Sequence, residues 1–112
     1  MDLDAYLTAA RRTINPALDD RDRILDAAAG LAEESAEVLG LVRKRTFQAR
    51  DVSRERLVEE LGDVLWCLAI TADSLGVSLN EIAKANVEKL ERRHPSGFAP
   101  RGPEGWNRSP KE

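Results

Sequence analysis

Cysteine and histidine are nearly absent from this sequence of 112 residues, which contains only Cys67 and His94. A single cysteine cannot form a disulfide within the chain, and the apolar residues around it predict a buried thiol. A single histidine argues against a Cys/His zinc site, a Ser-His-Asp triad and the Glu-x-x-His pairs of di-iron bundles. If the protein uses a metal ion, carboxylates must hold it.

Long apolar runs and a strong net charge are also missing. No segment approaches the roughly 18 apolar residues of a membrane span, and the first residues lack the basic and apolar regions of a signal peptide. We therefore expect a cytoplasmic protein without a membrane partner. Acidic residues number 20 and basic residues 17, a formal charge of -3, which disfavours nucleic acid as a partner. A local basic cluster could still hold a small phosphate.

Apolar residues recur at helical spacing along most of the chain, and no segment alternates as a strand would. The sequence therefore predicts an all-α fold, a helical bundle with a central antiparallel pair of long helices. Ser53 can cap the third helix and Gly76 can end it. Ser78 with Glu81 forms a capping box for the fourth. The predicted helices run from Leu3 to about Ile14, from about Asp20 to Lys44, from Ser53 to Gly76, and from Ser78 to about Arg93.

Glycine and proline mark two further features. Gly30 and Gly40 lie inside the second helix, where each costs about 1 kcal/mol relative to alanine; they indicate either close approach of a neighbour or tolerated surface positions. Residues 95–112 hold four of the five prolines and are predicted to form a tail. We expect at least Phe98, of the aromatic pair Phe98 and Trp106, to dock on the body or on a neighbouring subunit, the alternative being a mobile end.

Acidic side chains are paired at helical spacing in both long helices. Glu34 with Glu37, and Glu60 with Asp63, are three residues apart, so each pair projects from one helical face. If the two helices are antiparallel, the two pairs lie equally far from the middle of the intervening loop and face each other. A divalent cation would relieve their repulsion, and oxygen-only ligation suits Mg²⁺ or Mn²⁺. Two solvated acidic faces are the alternative interpretation.

Three ordered segments resemble a known family. They are GLAEESAEV at 30–38, EELGDVLWCLA at 59–69 and NVEKLERR at 86–93. Together they look like the MazG-type all-α nucleotide pyrophosphohydrolases, which carry a Glu-Glu-x-x-Glu helix, a Glu-x-x-Asp helix and a following Asn-x-x-Lys. The resemblance implies that residues 1–94 form a MazG-like domain, followed by the tail 95–112. It also implies hydrolysis of a nucleoside triphosphate between its α- and β-phosphates, which releases a monophosphate and pyrophosphate.

The resemblance assigns roles to the acids. Mg²⁺, with Mn²⁺ as a possible substitute, is the implied cofactor, because only a bound cation allows a carboxylate-lined site to accept a polyanion. Glu33 or Glu37 would orient or deprotonate the attacking water. The implied metal ligands are Glu34, Glu37, Glu60 and Asp63.

Helical spacing and the resemblance together indicate substrate-binding residues. Asn86, Lys89 and Arg93 are spaced to share one face of the fourth helix and could bind phosphates. The resemblance favours this role for Asn86 and Lys89, and solvated surface is the alternative for Arg93. Spacing from Glu37 would put Lys44 at the border of the site, and spacing from Asp63 would let Trp66 stack on a base, or else pack in the core.

The sequence is also compatible with other functions and predicts an assembly of several chains. Besides clearance of non-standard or surplus nucleotides, a dedicated diphosphatase for dUTP, dCTP or phosphoribosyl-ATP is compatible with the same segments. A non-catalytic helical module could instead bind a partner protein through its apolar stripes. Those stripes exceed what one small chain can cover, and we expect a homotetramer or a homodimer.

Overall fold

Four α-helices make up most of residues 1–99, which are the residues that the computed structural model describes. This part of the chain contains no β-strand, so the predicted all-α class is confirmed. Trp106 and the rest of the tail beyond residue 99 lie outside the described residues. The helices are α1 (Leu3–Arg11), α2 (Asp20–Phe47), α3 (Arg54–Ser74) and α4 (Leu79–Arg93).

The predicted helix ends are close to those observed, with two differences. Helix α1 ends at Arg11 rather than near Ile14, because the backbone N–H and the hydroxyl of Thr13 both donate to the carbonyl of Ala10, at 3.0 and 2.7 Å. This local bonding replaces the regular helical pattern. Helix α2 continues to Phe47, almost one turn beyond Lys44.

The predicted caps are confirmed. The Ser53 hydroxyl accepts a hydrogen bond from the N–H of Arg56 at 3.1 Å, and Ser78 and Glu81 bond reciprocally as a capping box. Gly76 has a φ of 75°, in the left-handed region that glycine adopts most easily. Its N–H donates to the carbonyl of Asp73, and the next N–H reaches back to Ala72, so α3 ends in a Schellman motif.

Helices α1, α2 and α3 belong to one structural unit, residues 1–77, and a second unit begins at Ser78. Within the first unit, α3 packs against both α1 and α2. The α2–α3 contact is close at Gly30, where a Cβ atom would lie 3.0 Å from the Sγ of Cys67. Gly40 has nothing within 4 Å of such a Cβ. The buried apolar residues of this unit are Leu7, Ala10, Ala27, Cys67, Ala69, Ile70 and Ala72.

Apolar side chains of the long helices α2 and α3 are largely exposed in the part of the chain that the structure describes. Leu61 is 53% exposed and Leu75 60% exposed, whereas Cys67 and Ile70, on another part of the helix, are buried. On α2, Phe47 is 79% exposed and Leu25 64%. The spacing of apolar residues defines a stripe but does not determine which neighbour covers it.

Two further observations concern the tail and membranes. Phe98 is 75% exposed, and its ring centroid lies 5.7 Å from that of His94. Docking of Phe98 on the body or on a neighbouring subunit stays a prediction. Among the described residues, no single helix is long and apolar enough to cross a membrane. Helices α3 and α4 reach the required length and apolar composition only when they are counted together across the break between them.

Candidate metal centre

Three carboxylates from two helices meet in the first unit. Glu34 and Glu37 lie one turn apart on α2, and Glu60 lies on α3. One ligand oxygen from each lies within 4.8 Å of the others. The i,i+3 spacing places the two α2 acids on one face, and the packing of α2 against α3 brings the third acid to them. This cluster, the three-carboxylate group, contains three of the four ligands that the sequence predicts.

Two members of this group have buried oxygens that are costly without a counter-ion, whereas Glu37 is exposed. Glu60 is buried, with 7% of its surface exposed. Its Oε1 accepts a hydrogen bond from the Nε of Arg56 at 3.1 Å, whereas its Oε2 is buried without a hydrogen-bond partner. The Oε2 of Glu34 is likewise buried and unpartnered. Buried carboxylate oxygens need a donor or a cation, so these two atoms indicate a ligand.

The electrostatics of the group point the same way. The pKa of Glu34 is raised from its ordinary value, first by its partial removal from water and then by the negative charges of Asp63 and Glu60. The pKa of Glu37 is raised mainly because its protonated form would donate a hydrogen bond to Glu60, and also by repulsion from Glu34. Without a cation the group therefore takes up a proton more readily than ordinary carboxyl groups do. An oxygen-only set with unpartnered buried atoms fits a hard divalent cation in place of that proton.

Asp63 and Glu33 lie beside this group rather than in it. Asp63 is not among the carboxylates within 4.8 Å, although its charge raises the pKa of Glu34. Glu33 is exposed, and its charge contributes to the raised pKa values of both Glu34 and Glu37. Their predicted roles as ligand and as water-orienting base stay predictions.

The aromatic and thiol side chains near the acids have structural contacts. The indole N–H of Trp66 donates to the hydroxyl of Thr13 at 2.8 Å, which ties the end of α1 to α3. Cys67 is buried, as expected, and its burial raises the pKa of the thiol. Stacking of Trp66 on a base stays a prediction.

Lys44 borders a cleft of about 580 Å³ at the loop between α2 and α3. Two more cations, Arg50 and Arg56, line this cleft, but so do the three acids Asp51, Glu55 and Glu59. The charges of the lining therefore balance, and the cleft alone does not favour an anion.

The second unit carries a groove along α4. Its volume is about 390 Å³, and its lining includes Asn86 and Lys89, as the sequence predicts for a polar phosphate-binding face, together with Arg92. Arg93 is not part of this lining; it is half-buried, and its Nε is without a hydrogen-bond partner.

Arg56 is the side chain near the acids that sequence reasoning missed. Its spacing of four residues from Glu60 is the ordinary distance for a helical ion pair, so the signal was present. Such pairs are common on helix surfaces, however, and only the burial of Glu60 distinguishes this one.

These features define a class: a helical protein with a partly buried, oxygen-only centre that could hold a divalent cation. The MazG nucleotide pyrophosphohydrolase domain matches residues 24–98, a span that includes all the acids above and α4. The chain belongs to the MazG family of nucleotide pyrophosphohydrolases, and members of this family are generally dependent on divalent metal ions.

Two relatives are similar in sequence. "Uncharacterized protein YvdC" of Bacillus subtilis (strain 168) is 38% identical over 72 residues, which cover 56% of this chain and 68% of that protein. "Gene 37 protein" of Mycobacterium phage L5 is 34% identical over 105 residues, which cover 87% of this chain and 92% of that protein. Neither name states an activity. No solved structure matches the chain.

Proposed function

We propose that the protein is a Mg²⁺-dependent nucleoside triphosphate pyrophosphohydrolase that clears non-standard or surplus nucleotides in the cytoplasm. The bond between the α- and β-phosphates would break by addition of one water molecule, releasing a nucleoside monophosphate and pyrophosphate. The observation that carries the proposal is the three-carboxylate group, with its unpartnered buried oxygens, in a chain of the MazG family.

In this proposal the four acids Glu34, Glu37, Glu60 and Asp63 hold the metal, with Mn²⁺ as a substitute for Mg²⁺. When bound, the cation supplies positive charge that lets a triphosphate approach the carboxylates and that stabilises charge on its oxygens during cleavage. Oxygen-only ligation supports Mg²⁺ or Mn²⁺ over softer metals.

A carboxylate must also orient the attacking water and take its proton. We assign this step to Glu37 or Glu33. The exposed position of Glu37 within the three-carboxylate group supports the former, because a general base must be within reach of the water that it deprotonates. Glu33 is exposed beside the group and could reach a water molecule from the solvent side.

The substrate's phosphates would bind to α4 through Asn86, Lys89 and Arg93. The groove that contains Asn86 and Lys89 supports the first two assignments, since an amide and an ammonium group can both donate to phosphate oxygens. Lys44 would contact the substrate from the α2–α3 cleft, and Trp66 would stack on the base.

We further propose that α2 and α3 form an antiparallel pair and that the protein assembles as a homodimer or homotetramer. The meeting of acids that lie equally far from the α2–α3 loop supports the pairing. Exposed apolar side chains on both helices, among them Leu39, Phe47, Val58 and Leu61, support assembly, because their burial against another copy of the chain would be favourable. Static light scattering tests the assembly, and a mass of one chain would contradict it.

A substrate panel tests the activity. Nucleoside triphosphates with standard and modified bases are incubated with Mg²⁺, and pyrophosphate and orthophosphate are measured separately. Pyrophosphate release is expected. A Glu60→Gln variant keeps the shape of the side chain and its bond to Arg56, and should lose turnover without loss of the circular dichroism signal.

The pattern across the panel separates the alternatives. Turnover of one substrate such as dUTP, dCTP or phosphoribosyl-ATP alone would identify a dedicated diphosphatase. Release of orthophosphate would contradict the proposed cleavage. No turnover of any substrate, with no metal binding, would favour a non-catalytic module that binds a partner protein.

A further inference from the structure

Arg56 is bonded to the most buried carboxylate of the three-carboxylate group. Its Nε lies 3.1 Å from the Oε1 of Glu60, one helical turn away on α3. The Arg56 side chain is 58% exposed, whereas that of Glu60 is only 9% exposed. The contact therefore joins the largely exposed guanidinium group of Arg56 to the buried carboxylate of Glu60.

The bond engages one oxygen of Glu60 and leaves the other without a partner. Oε2 is buried and has no hydrogen bond, while a Glu60 oxygen lies within 4.8 Å of ligand atoms of Glu34 and Glu37. A donor fixed to Oε1 limits rotation of the carboxylate, as donors behind metal ligands generally do. Oε2 is then held in a constant position, free to accept a cation.

We propose that Arg56 is a positioning residue, which holds Glu60 through Oε1 so that Oε2 is available to a divalent cation. This rests on the proposed function, because it assumes that the three-carboxylate group binds a metal ion.

The charge of Arg56 has the opposite effect from its hydrogen bond. A positive charge near a cation site repels the cation, so electrostatics alone predicts that removal of Arg56 tightens metal binding. Because Arg56 is mostly exposed, water screens much of that repulsion. The hydrogen bond acts on a buried group and is not screened in the same way. Positioning should therefore dominate, and removal of Arg56 should weaken binding.

The opposed signs make a direct test possible. Mn²⁺ binding to the full chain without nucleotide is measured by the electron paramagnetic resonance signal of free Mn²⁺, for the wild type and for Arg56→Met. We expect about 10- to 100-fold weaker binding in the variant, the usual effect of losing a group that orients a metal ligand. Arg54→Met is the matched control: it removes the same charge from an exposed position on the same helix, and its affinity should be unchanged or slightly higher.

Two further variants test whether the effect passes through Glu60. Arg56→Lys keeps the charge but donates from a different position, and should bind Mn²⁺ more tightly than Arg56→Met but less tightly than the wild type. In a Glu60→Gln background, adding Arg56→Met should cause no further loss. Circular dichroism shows whether each variant is folded; if the methionine variant is not, a lysine variant with wild-type affinity overturns the proposal.

The outcomes separate this inference from the proposed function. A wild-type chain that does not bind Mn²⁺ contradicts both. A wild-type chain that binds, together with an Arg56→Met variant that binds equally or more tightly, overturns the positioning role and leaves the proposed function standing.

Discussion

Two glycines in the same helix should respond in opposite ways to alanine. Gly30 and Gly40 both lie inside α2, so each substitution gains helix propensity. At Gly40 the added methyl group would meet nothing within 4 Å, whereas at Gly30 it would lie 3.0 Å from the Sγ of Cys67. We therefore expect Gly40→Ala to stabilise the protein and Gly30→Ala to be neutral or destabilising.

The magnitudes follow from two opposing terms. Replacement of glycine by alanine in a helix interior gains about 1 kcal/mol at either position. At Gly30 a contact of 3.0 Å is well inside the roughly 3.5–4.0 Å of a favourable one, and Cys67 is buried. Overpacking of this kind costs about 1–3 kcal/mol. The two variants should then differ by about 1–3 kcal/mol in the free energy of unfolding, or by about 4–8 °C in Tm for each kcal/mol in a chain of this size.

Urea and thermal unfolding of both variants provide the measurement. A Gly30→Ala/Cys67→Ala double variant relieves the contact, and should be more stable than the sum of the two single changes by about 1 kcal/mol or more. If Gly30→Ala is stabilising to the same extent as Gly40→Ala, or if the double variant is strictly additive, the close α2–α3 contact at this point does not exist.

Three further predictions concern the acids and the phosphate-binding face. Alanine at Glu37 or Asp63 should abolish Mg²⁺-dependent turnover while the far-ultraviolet circular dichroism stays helical; retained turnover would remove that residue from the proposed site. Lys89→Glu should raise the KM for the triphosphate or greatly lower kcat, and unchanged values for both would exclude contact with phosphate. Because the pKa values of Glu34 and Glu37 are raised in the folded protein, it binds protons at these groups more readily than the unfolded chain does. Without metal, stability should therefore rise as the pH falls toward the ordinary carboxyl range, and added Mn²⁺ at neutral pH should raise the Tm; a Tm that responds only to ionic strength would contradict a metal site.

Much of the local structure could be predicted because the relevant bonds are local. Ser53 and Ser78 cap helices through backbone groups three residues away, and Gly76 ends α3 through its own backbone conformation. The predicted end of α1 was wrong because the Thr13 hydroxyl donates to the carbonyl of Ala10. Such a side-chain bond competes with the regular helical hydrogen bonds.

The candidate site could likewise be predicted only in part, as far as it depends on local spacing. The spacing of Glu34 and Glu37 on one helix is enough to place them on one face, and the matched position of Glu60 follows if the helices pair. Asp63 lies three residues from Glu60, just as Glu37 lies three residues from Glu34. Asp63 nevertheless lies outside the group of carboxylates within 4.8 Å of one another. Its distance depends on how the two helices rotate against each other, which residue spacing does not determine.

The sequence by itself determined that this chain is helical, where most of its helices begin and end, and which acids share a face, because those properties depend on neighbours a few residues away. Only the tertiary structure decided that Glu60 is buried with one oxygen held by Arg56 and the other unpartnered. It also decided that Gly30, and not Gly40, marks the close contact. Burial and contact distance are set by the packing of one helix on another, so they are properties of the fold rather than of any segment.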